Sequence, residues 1–268
     1  MLIQMDQENL RKLQMIELEL LVEFDRICRK YKIRYTLTGG TLLGAVRHGG
    51  FIPWDDDADV SMLRHEYEKF KKVCDIELND KYYFQDIQNT KGYRWGYGKL
   101  RKRGTLFLRE NQEHMPYAQG VFIDVFPRDG VPDGLMSKNI HKFQCFIIRK
   151  CLWSEVGKVS DQRKVMRIWF HFLNWAVGDR IFKVYDRLVK RSNIKPTKLV
   201  RNLTFPVPNG YGYLRKWYEE SIDLEFENHL FMVNKSYKLW LQQEFGEYMK
   251  IPPPEKRKTH PIVKIELE

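Results

Sequence analysis

Four carboxylates fall within five positions of the chain, at Asp55, Asp56, Asp57 and Asp59. Residues 57–63 read as a strand, and side chains two positions apart in a strand project from the same face. Two carboxylates on one face repel each other unless a cation or neutralising groups lie between them. Oxygen ligands of this kind suit Mg²⁺ (or Mn²⁺), which takes one or two carboxylates together with substrate phosphates. The alternative for such a run is an acidic turn in solvent.

A turn of small residues precedes these acids. Gly39, Gly40 and Thr41 follow a short predicted strand, and a short helix is predicted over residues 41–47. A helix N-terminus behind glycines offers free backbone N–H groups to an anion, so this turn is a candidate phosphate site. An ordinary glycine turn is the alternative.

A third carboxylate lies far along the chain, in the apolar run of residues 120–127. Burying Asp124 in such a strand is costly unless the carboxylate is paired, bonded to backbone N–H groups or bound to a metal. Because Asp57 and Asp59 already need a cation, we expect Asp124 to join them at one metal site.

Cationic and aromatic side chains alternate in residues 93–101, which read as a strand. This spacing places Trp95, Tyr97, Lys99 and Arg101 on one face. The two cations either meet a phosphate or form a solvated face, and the sequence leaves both interpretations open.

Apolar periodicity predicts the elements that position these side chains. Helices are predicted over residues 7–31, 64–77 and 237–248, and further strands over residues 33–37, 82–87 and 222–232. Prolines and glycines in residues 201–213 predict a loop. The four cysteines form no Cys-x-x-Cys pair, which predicts free thiols in a reducing compartment.

Positive charge is concentrated in one region. The chain has a formal net charge of +11, and residues 136–220 hold 18 Lys and Arg against 6 Asp and Glu. This region is predicted to be largely helical and is rich in Trp and Phe, a combination typical of surfaces that contact anionic membranes. A helical subdomain with a solvated basic exterior is the alternative. The chain contains no run of ~18 apolar residues, so no membrane-spanning helix is predicted.

Several segments together resemble the LicD family. They are LTGGTLLGAVRHGGFIPWDDDADVSMLRHEYEKF, WGYGKLRKRGT, GVFIDVFPRDG and YKLWLQQEFGEYMKIPPPEKRKTHPI. The resemblance covers about residues 15–130 and 200–261. The chain departs from it at Phe245-Gly246-Glu247, where the family usually has Tyr-Gly-Asp, and at Asn234, where a proline is common.

The resemblance implies an α+β fold with a nucleotidyltransferase-like mixed β-sheet flanked by helices and an additional basic helical subdomain. The expected divisions are a catalytic core (1–135), a basic helical insertion (136–200) and a C-terminal part that completes the catalytic domain (201–268).

The resemblance also implies a Mg-dependent phosphotransferase. Such an enzyme moves phosphocholine, or a similar alditol or sugar phosphate, from a CDP-activated donor such as CDP-choline. The acceptor is a sugar hydroxyl of a lipid-linked or polymeric glycan, as in teichoic acid, lipopolysaccharide or capsule. A cytoplasmic enzyme is expected, with peripheral contact at the inner face of the cell membrane through residues 136–220.

Individual roles follow from the same resemblance. Metal binding is expected of Asp57, Asp59 and Asp124, and one of these or Asp55 would accept the proton of the acceptor hydroxyl. The residues expected to bind the donor are Gly39, Gly40, Thr41, Arg47, Lys99, Arg101, Trp54, Trp95 and Tyr97, with the three aromatics as a wall for a quaternary ammonium. The alternative for Trp54 is packing beside Pro53.

Two other functions remain as alternatives. A nucleotidyltransferase acting on a small molecule would release pyrophosphate rather than CMP. A nucleic-acid-binding protein would use the basic region, but three convergent carboxylates would repel a phosphate backbone, so no nucleic acid is expected.

Overall fold

Helices and short strands alternate along the chain, which confirms the predicted α+β class. The structure, a computed structural model, describes residues 5–257 and 259–267. The helices are α1 (Gln7–Lys30), α2 (Gly39–His48), α3 (Arg64–Glu77), α4 (Leu135–Ser160), α5 (Lys164–Val177), α6 (Arg180–Ser192) and α7 (Tyr237–Phe245). The strands are β1 (Thr36–Leu37), β2 (Asp59–Leu63), β3 (Tyr82–Gln85), β4 (Gly98–Lys102), β5 (Leu106–Arg109), β6 (Phe122–Val131), β7 (Leu199–Arg201), β8 (Tyr213–Leu214), β9 (Ser221–Phe226), β10 (His229–Asn234) and β11 (Ile262–Glu266).

A mixed sheet organises the molecule. Its strands run in the order β1-β2-β6-β4-β3, and β7, followed by β8, pairs with the second half of β6. The β2–β6 pair is parallel, and the other pairs of this sheet are antiparallel. All ten residues of β6 are buried, as expected of a central strand covered on both faces. β6 therefore provides the frame on which the neighbouring strands are registered.

α1 covers one side of this frame. Asp6 caps its N-terminus by accepting a hydrogen bond from the backbone N–H of Asn9 at 2.7 Å, and Arg29 and Lys30 lie in its last turn, where the helix dipole favours cations. Its apolar face, which includes the fully buried Leu13 and Phe24, packs into the main hydrophobic core. The predicted helix over residues 7–31 is thus confirmed to within one residue.

Some predicted boundaries were wrong. The strand predicted over residues 222–232 is a hairpin of β9 and β10, because Glu227 and Asn228 both adopt positive φ and turn the chain. Residues 93–97 precede β4 instead of belonging to it, and β2 begins at Asp59, so Asp57 lies in the preceding loop. α7 ends at Phe245, before Gly246 with φ +65°.

The basic region is helical only in its first two thirds. α4, α5 and α6 cover it as far as Ser192, and two short strands follow. α4 and α6 share a second apolar cluster that includes Cys145, Ile148 and Leu188. No helix in the described ranges combines the length and apolar content that a bilayer crossing requires.

The four cysteines are buried free thiols, as predicted. The predicted division at residues 135 and 200 stays a prediction, and the outer limits, residues 1 and 268, lie outside the described ranges.

Candidate active site

A row of ionisable side chains crosses three adjacent strands. Asp59 of β2 is the register partner of Asp124 on the parallel strand β6, and Asp124 is the register partner of Lys99 on β4. Partners in register share a face of the sheet. Two of the three predicted metal ligands therefore lie side by side on neighbouring strands, with a lysine beyond them.

Lys99 and Asp124 form a buried ion pair. Nζ of Lys99 donates to Oδ1 of Asp124, and both side chains are about 5% exposed. Burial lowers the pKa of Lys99 to about 7, while the charge of Asp124 opposes that shift. The ammonium also lies 3.2 Å from the centroid of the Phe122 ring. Because Asp124 already pairs with Lys99, a metal at this carboxylate would have to share it with the lysine.

The glycine turn makes room for carboxylates. A β-carbon added to Gly39 would lie 2.5 Å from Oδ2 of Asp59, and one added to Gly40 would collide with Oδ2 of Asp55. Thr41 supports the same strand, because its hydroxyl accepts the backbone N–H of Asp59 at 2.7 Å. The positive end of α2 therefore faces the group of carboxylates formed by Asp55, Asp56, Asp57, Asp59 and Asp124, which we call the acidic cluster. Donor binding by this turn stays a prediction.

Asp56 and Asp57 lie next to a histidine from the C-terminal part of the chain. His260 donates its backbone N–H to Oδ2 of Asp56 at 2.8 Å, and its Nδ1 lies 3.0 Å from Oδ1 of the same carboxylate. The same Nδ1 is 3.6 Å from Oδ2 of Asp57, and Nη2 of Arg109 is 3.5 Å from that oxygen. Asp57 is thus flanked by an imidazole and a guanidinium.

The carboxylates of this cluster destabilise one another's ionised forms. Burial and the neighbouring acids raise the pKa of Asp55 and of Asp59 well above their usual range. Burial also raises the pKa of Asp57, although Arg109 and His260 oppose the shift. The cluster therefore carries more negative charge than its protein partners neutralise.

A further acid reaches the cluster from α1. Glu17 is 2% exposed, and its Oε2 has no hydrogen-bond partner among the described residues. Burial, followed by the charges of Asp57, Asp56 and Asp55, raises the pKa of Glu17 well above its usual range. An unpartnered buried carboxyl oxygen beside three acids is the arrangement expected where a cation belongs.

The donor atoms present fit a divalent cation. One ligand atom from each of Asp56, Asp57 and His260 can be chosen so that all three lie within 4.8 Å of one another. Carboxylate oxygens suit Mg²⁺ or Mn²⁺, and the imidazole is tolerated better by Mn²⁺. This grouping differs from the predicted set, since it includes Asp57 but adds Asp56 and His260; the predicted set of Asp57, Asp59 and Asp124 stays a prediction.

A cavity of about 360 Å³, which we call the site cavity, lies next to the cluster and is separated from its acids by side chains that contact them. Three cations line it, namely Lys99, Arg101 and Arg109, and so does His260. Nε of Arg109 is buried without a hydrogen-bond partner among the described residues, and a buried donor without a partner calls for a polar group that the protein itself does not supply. Arg101 already has partners in the protein, since its Nε donates to Gln85 and its Nη1 to the carbonyl of Gly120.

Aromatic rings form another wall of the site cavity. Trp95 and Tyr97 lie with centroids 6.3 Å apart, and Trp153 of α4 meets Trp95 at 5.7 Å. These rings separate the site cavity from a neighbouring cavity of about 280 Å³, the outer cavity, which Arg94, Arg149 and Lys150 also line. A ligand in either cavity would contact the same aromatic wall.

Two predicted donor-binding residues have other partners. Arg47 donates Nη1 to the backbone carbonyl of Tyr248 at 3.0 Å, which ties α2 to the segment after α7. The guanidinium of Arg257 lies over the ring of Trp54, 4.2 Å from the centroid of that ring. The structure thus brings Trp95, Tyr97, Lys99 and Arg101 together around the site cavity, whereas Arg47 and Trp54 hold the C-terminal segment.

Sequence reasoning missed four residues of the site: Glu17, Asp56, Arg109 and His260. Asp56 lay in view within the acidic run but was given no role. His260 is 204 residues from Asp56, so no local spacing joins them; the resemblance of the segment ending in His260-Pro261-Ile262 was the available signal. Glu17 lies within the helix predicted over residues 7–31, and no role was predicted for it.

The chain also has relatives among known proteins. Residues 32–151 match the family model described as the LicD/FKTN/FKRP nucleotidyltransferase domain. The chain is similar to the lipopolysaccharide cholinephosphotransferase LicD of Haemophilus influenzae, at 33% identity over 95% of this chain and 96% of that protein. It is also similar to the ribitol 5-phosphate transferases FKRP of mouse and human, at 60% identity over 63 residues, which are 24% of this chain and 12% of theirs. The extent of the match to the Haemophilus protein shows that the chain belongs to the LicD family.

Proposed function

We propose that the protein is a metal-dependent phosphotransferase. It moves phosphocholine, or a similar alditol or sugar phosphate, from a CDP-activated donor onto a sugar hydroxyl of a cell-surface glycan precursor. The names of the Haemophilus and mammalian relatives support transfer of a phosphate-linked group. We further propose that the β1-β2-β6-β4-β3 sheet is a nucleotidyltransferase-like core, which the description of the matching domain supports.

One observation carries this proposal: the acidic cluster lies directly behind the lining of a cationic, aromatic-walled cavity. Lys99, Arg109 and His260 line that cavity and contact Asp124, Asp57 and Asp56. The acids need a cation, and the cavity suits an anionic ligand with an apolar or cationic group. A CDP-linked donor has both features, since its diphosphate is anionic and choline is a quaternary ammonium.

In this proposal the donor occupies the site cavity. Arg109 contacts a phosphate of the donor, and Lys99, which lies over the same Phe122 ring, adds a second positive charge to the cavity lining. Trp95 and Tyr97 pack against the transferred group, and Trp95 is held in place because its Nε1 donates to the hydroxyl of Tyr117 at 3.2 Å. Fixed cations at the diphosphate stabilise charge on the leaving CMP.

The acidic cluster holds the metal and receives the proton. Asp57 and Asp59 are the proposed ligands, joined by Asp124 or by Asp56 and His260. A bound Mg²⁺ would spread the negative charge of the phosphoryl oxygens during transfer. Asp55 is the proposed proton acceptor, because its raised pKa brings its basicity closer to neutral pH.

We assign the acceptor to the outer cavity. It shares Trp95, Tyr97 and Trp153 with the site cavity, and its cations Arg94, Arg149 and Lys150 suit an acceptor that carries phosphate or carboxylate groups. Because Trp95, Tyr97 and Trp153 line both cavities, an acceptor in the outer cavity would lie next to the group that packs on the same rings in the site cavity.

The test is CMP release from a panel of CDP-choline, CDP-ribitol and CDP-glycerol, with Mg²⁺ and a glycan acceptor. Asp57→Asn and Asp59→Asn should each lower kcat by about 100-fold or more, because charge stabilisation and metal binding are lost together. The donor with the highest kcat/KM identifies the transferred group.

Asp75→Asn on the outer side of α3 is the matched control and should keep wild-type turnover. Full turnover in either site variant would exclude the proposed roles. Release of pyrophosphate in place of CMP would favour the alternative nucleotidyl transfer. A separate readout is the rise of Tm with Mg²⁺ or Mn²⁺, which should occur in the wild type and disappear in Asp57→Asn.

A further inference from the structure

α5 presents an apolar face to solvent. Between 50% and 80% of each side chain on this face is exposed. The residues are Val165, Ile168, Trp169, Phe172 and Trp175, which we call the α5 stripe. Their spacing of three or four residues places them on one side of the helix. Phe170, on the other side, is buried against Gly157 of α4, so the stripe faces away from the protein.

Basic residues flank the stripe. α5 begins after Arg163 and carries Lys164 and Arg167 in its first turns, with no acidic residue in the first turn. Cations at a helix N-terminus oppose the helix dipole, which favours acids there. These residues therefore weaken the isolated helix, and an anionic partner at this end would relieve the unfavourable interaction.

The charges distinguish between two occupants of the stripe. In an isologous dimer the same region of each copy faces the other, and residues 136–220 hold 18 Lys and Arg against 6 Asp and Glu, so the two copies would repel each other. On an anionic lipid surface, by contrast, the aromatic side chains can insert into the apolar part of the bilayer, and the flanking cations can contact the negative head groups.

We propose that α5 is a docking helix for an anionic membrane surface. It lies in the plane of the interface, with Trp169, Phe172 and Trp175 inserted among the lipids and Lys164 and Arg167 at the head groups. This narrows the membrane contact expected of residues 136–220 to one short helix.

The position of α5 connects docking to the site. Trp153, Val156 and Ser160 of α4 line the site cavity, while Gly157 of the same stretch receives Phe170 of α5. A protein docked through the α5 stripe therefore holds the site cavity one helix away from the lipid surface. This consequence, which rests on the proposed function, would suit an acceptor sugar carried on a lipid.

Co-sedimentation of the full chain with vesicles tests the docking without any turnover. The wild type should bind vesicles of phosphatidylcholine with phosphatidylglycerol at low salt, and should bind less at high salt or with phosphatidylcholine alone. Trp169→Ser/Phe172→Ser/Trp175→Ser should lower binding at least about tenfold. Lys164→Gln/Arg167→Gln should remove most of the salt dependence.

The matched control is Ile76→Ser/Leu230→Ser/Met249→Ser, which removes three comparably exposed apolar side chains from other surfaces and should bind as the wild type does. Circular dichroism checks that each variant is folded. The proposal is overturned if the wild type does not bind anionic vesicles at low salt, or if the stripe variant binds equally well. It is also overturned if sedimentation equilibrium shows a dimer that the stripe variant dissociates while vesicle binding is unchanged.

Discussion

At the scale of single residues, the ion pair of Lys99 and Asp124 differs from the surface ion pairs in its burial. Both partners are almost completely buried, so neither can exchange its partner for water when the other is removed. Lys102, three positions along the same strand, pairs with Glu19 at 2.6 Å, but these side chains are 26% and 38% exposed. The two lysines therefore allow a matched comparison of a buried pair with an exposed one.

We expect Lys99→Met to lower the free energy of unfolding by about 3–5 kcal/mol, because it leaves the Asp124 carboxylate buried and uncompensated. Lys102→Met should cost less than about 1 kcal/mol, because water replaces the ammonium. Urea unfolding at pH 6, where Lys99 with its pKa of about 7 is charged, measures both. Equal losses in the two variants would show that burial does not control the strength of the Lys99 pair.

Some of these residues could be identified from the sequence, and others could not. Asp124 was recognisable because a carboxylate within an apolar strand is costly to bury, and Asp59 because it lies two positions from another carboxylate in a predicted strand. Arg109 and His260 were missed because basic residues are common in this chain and only the folded structure brings these two next to Asp57. Site residues could thus be predicted where a residue type is unusual for its local sequence, but not where residues distant in sequence come together only in the folded structure.

At the scale of secondary-structure elements, the β9–β10 hairpin shows why one prediction failed. Glu227 and Asn228 have φ of +51° and +61°, the left-handed conformation that two-residue hairpin turns require. Glycine usually marks such a turn, and this one has none. Glu227 is held there by Arg11, whose Nη2 lies 2.6 Å from its carboxylate, and by the backbone N–H of Phe51 at 3.0 Å. Contacts with distant segments thus compensate an unfavourable local conformation.

Substitutions at Asn228 should follow this conformational requirement. Asn228→Gly should be neutral or slightly stabilising, because glycine adopts positive φ without steric cost. Asn228→Val should lower the free energy of unfolding by about 1–2 kcal/mol, because a β-branched residue is disfavoured in the left-handed region. Chemical denaturation ranks the variants, and the opposite order would show that the turn rearranges.

The strands of the second small sheet, β5 and β11, were also not predicted. They pair residues 106–109 with residues 262–266, and each strand is too short to show clear alternation. By contrast, α1, α3 and β6 were predicted because their apolar patterns are long enough to have one interpretation.

At the scale of the whole molecule, His141 joins the basic helices to the loop that follows β7. Its Nδ1 lies 3.0 Å from the hydroxyl of Tyr211, and its Nε2 lies 3.2 Å from Oγ of Ser192 at the end of α6. Burial, together with the charges of Arg201 and Arg191, lowers the pKa of His141 to about 4. The folded protein therefore favours the neutral imidazole.

This shift predicts a pH dependence of stability. Between about pH 6.5 and pH 4 the unfolded chain protonates this histidine and the folded chain does not, so stability falls as the pH falls through that window. His141→Gln cannot titrate and should lose on the order of 2 kcal/mol less over the same window. Urea midpoints measured from pH 7 to pH 4 provide the comparison, and parallel curves for the two proteins would refute the assignment.

The distance along the chain between Asp56 and His260 sets how early their contact can form during synthesis. The two residues are 204 positions apart, and a ribosome adding about 5–20 residues per second needs about 10–40 s to pass from one to the other. During that time the nascent chain already contains the acidic run but not its imidazole. Arg109 emerges much earlier, so in the growing chain it is the first of the two flanking cationic groups able to reach Asp57.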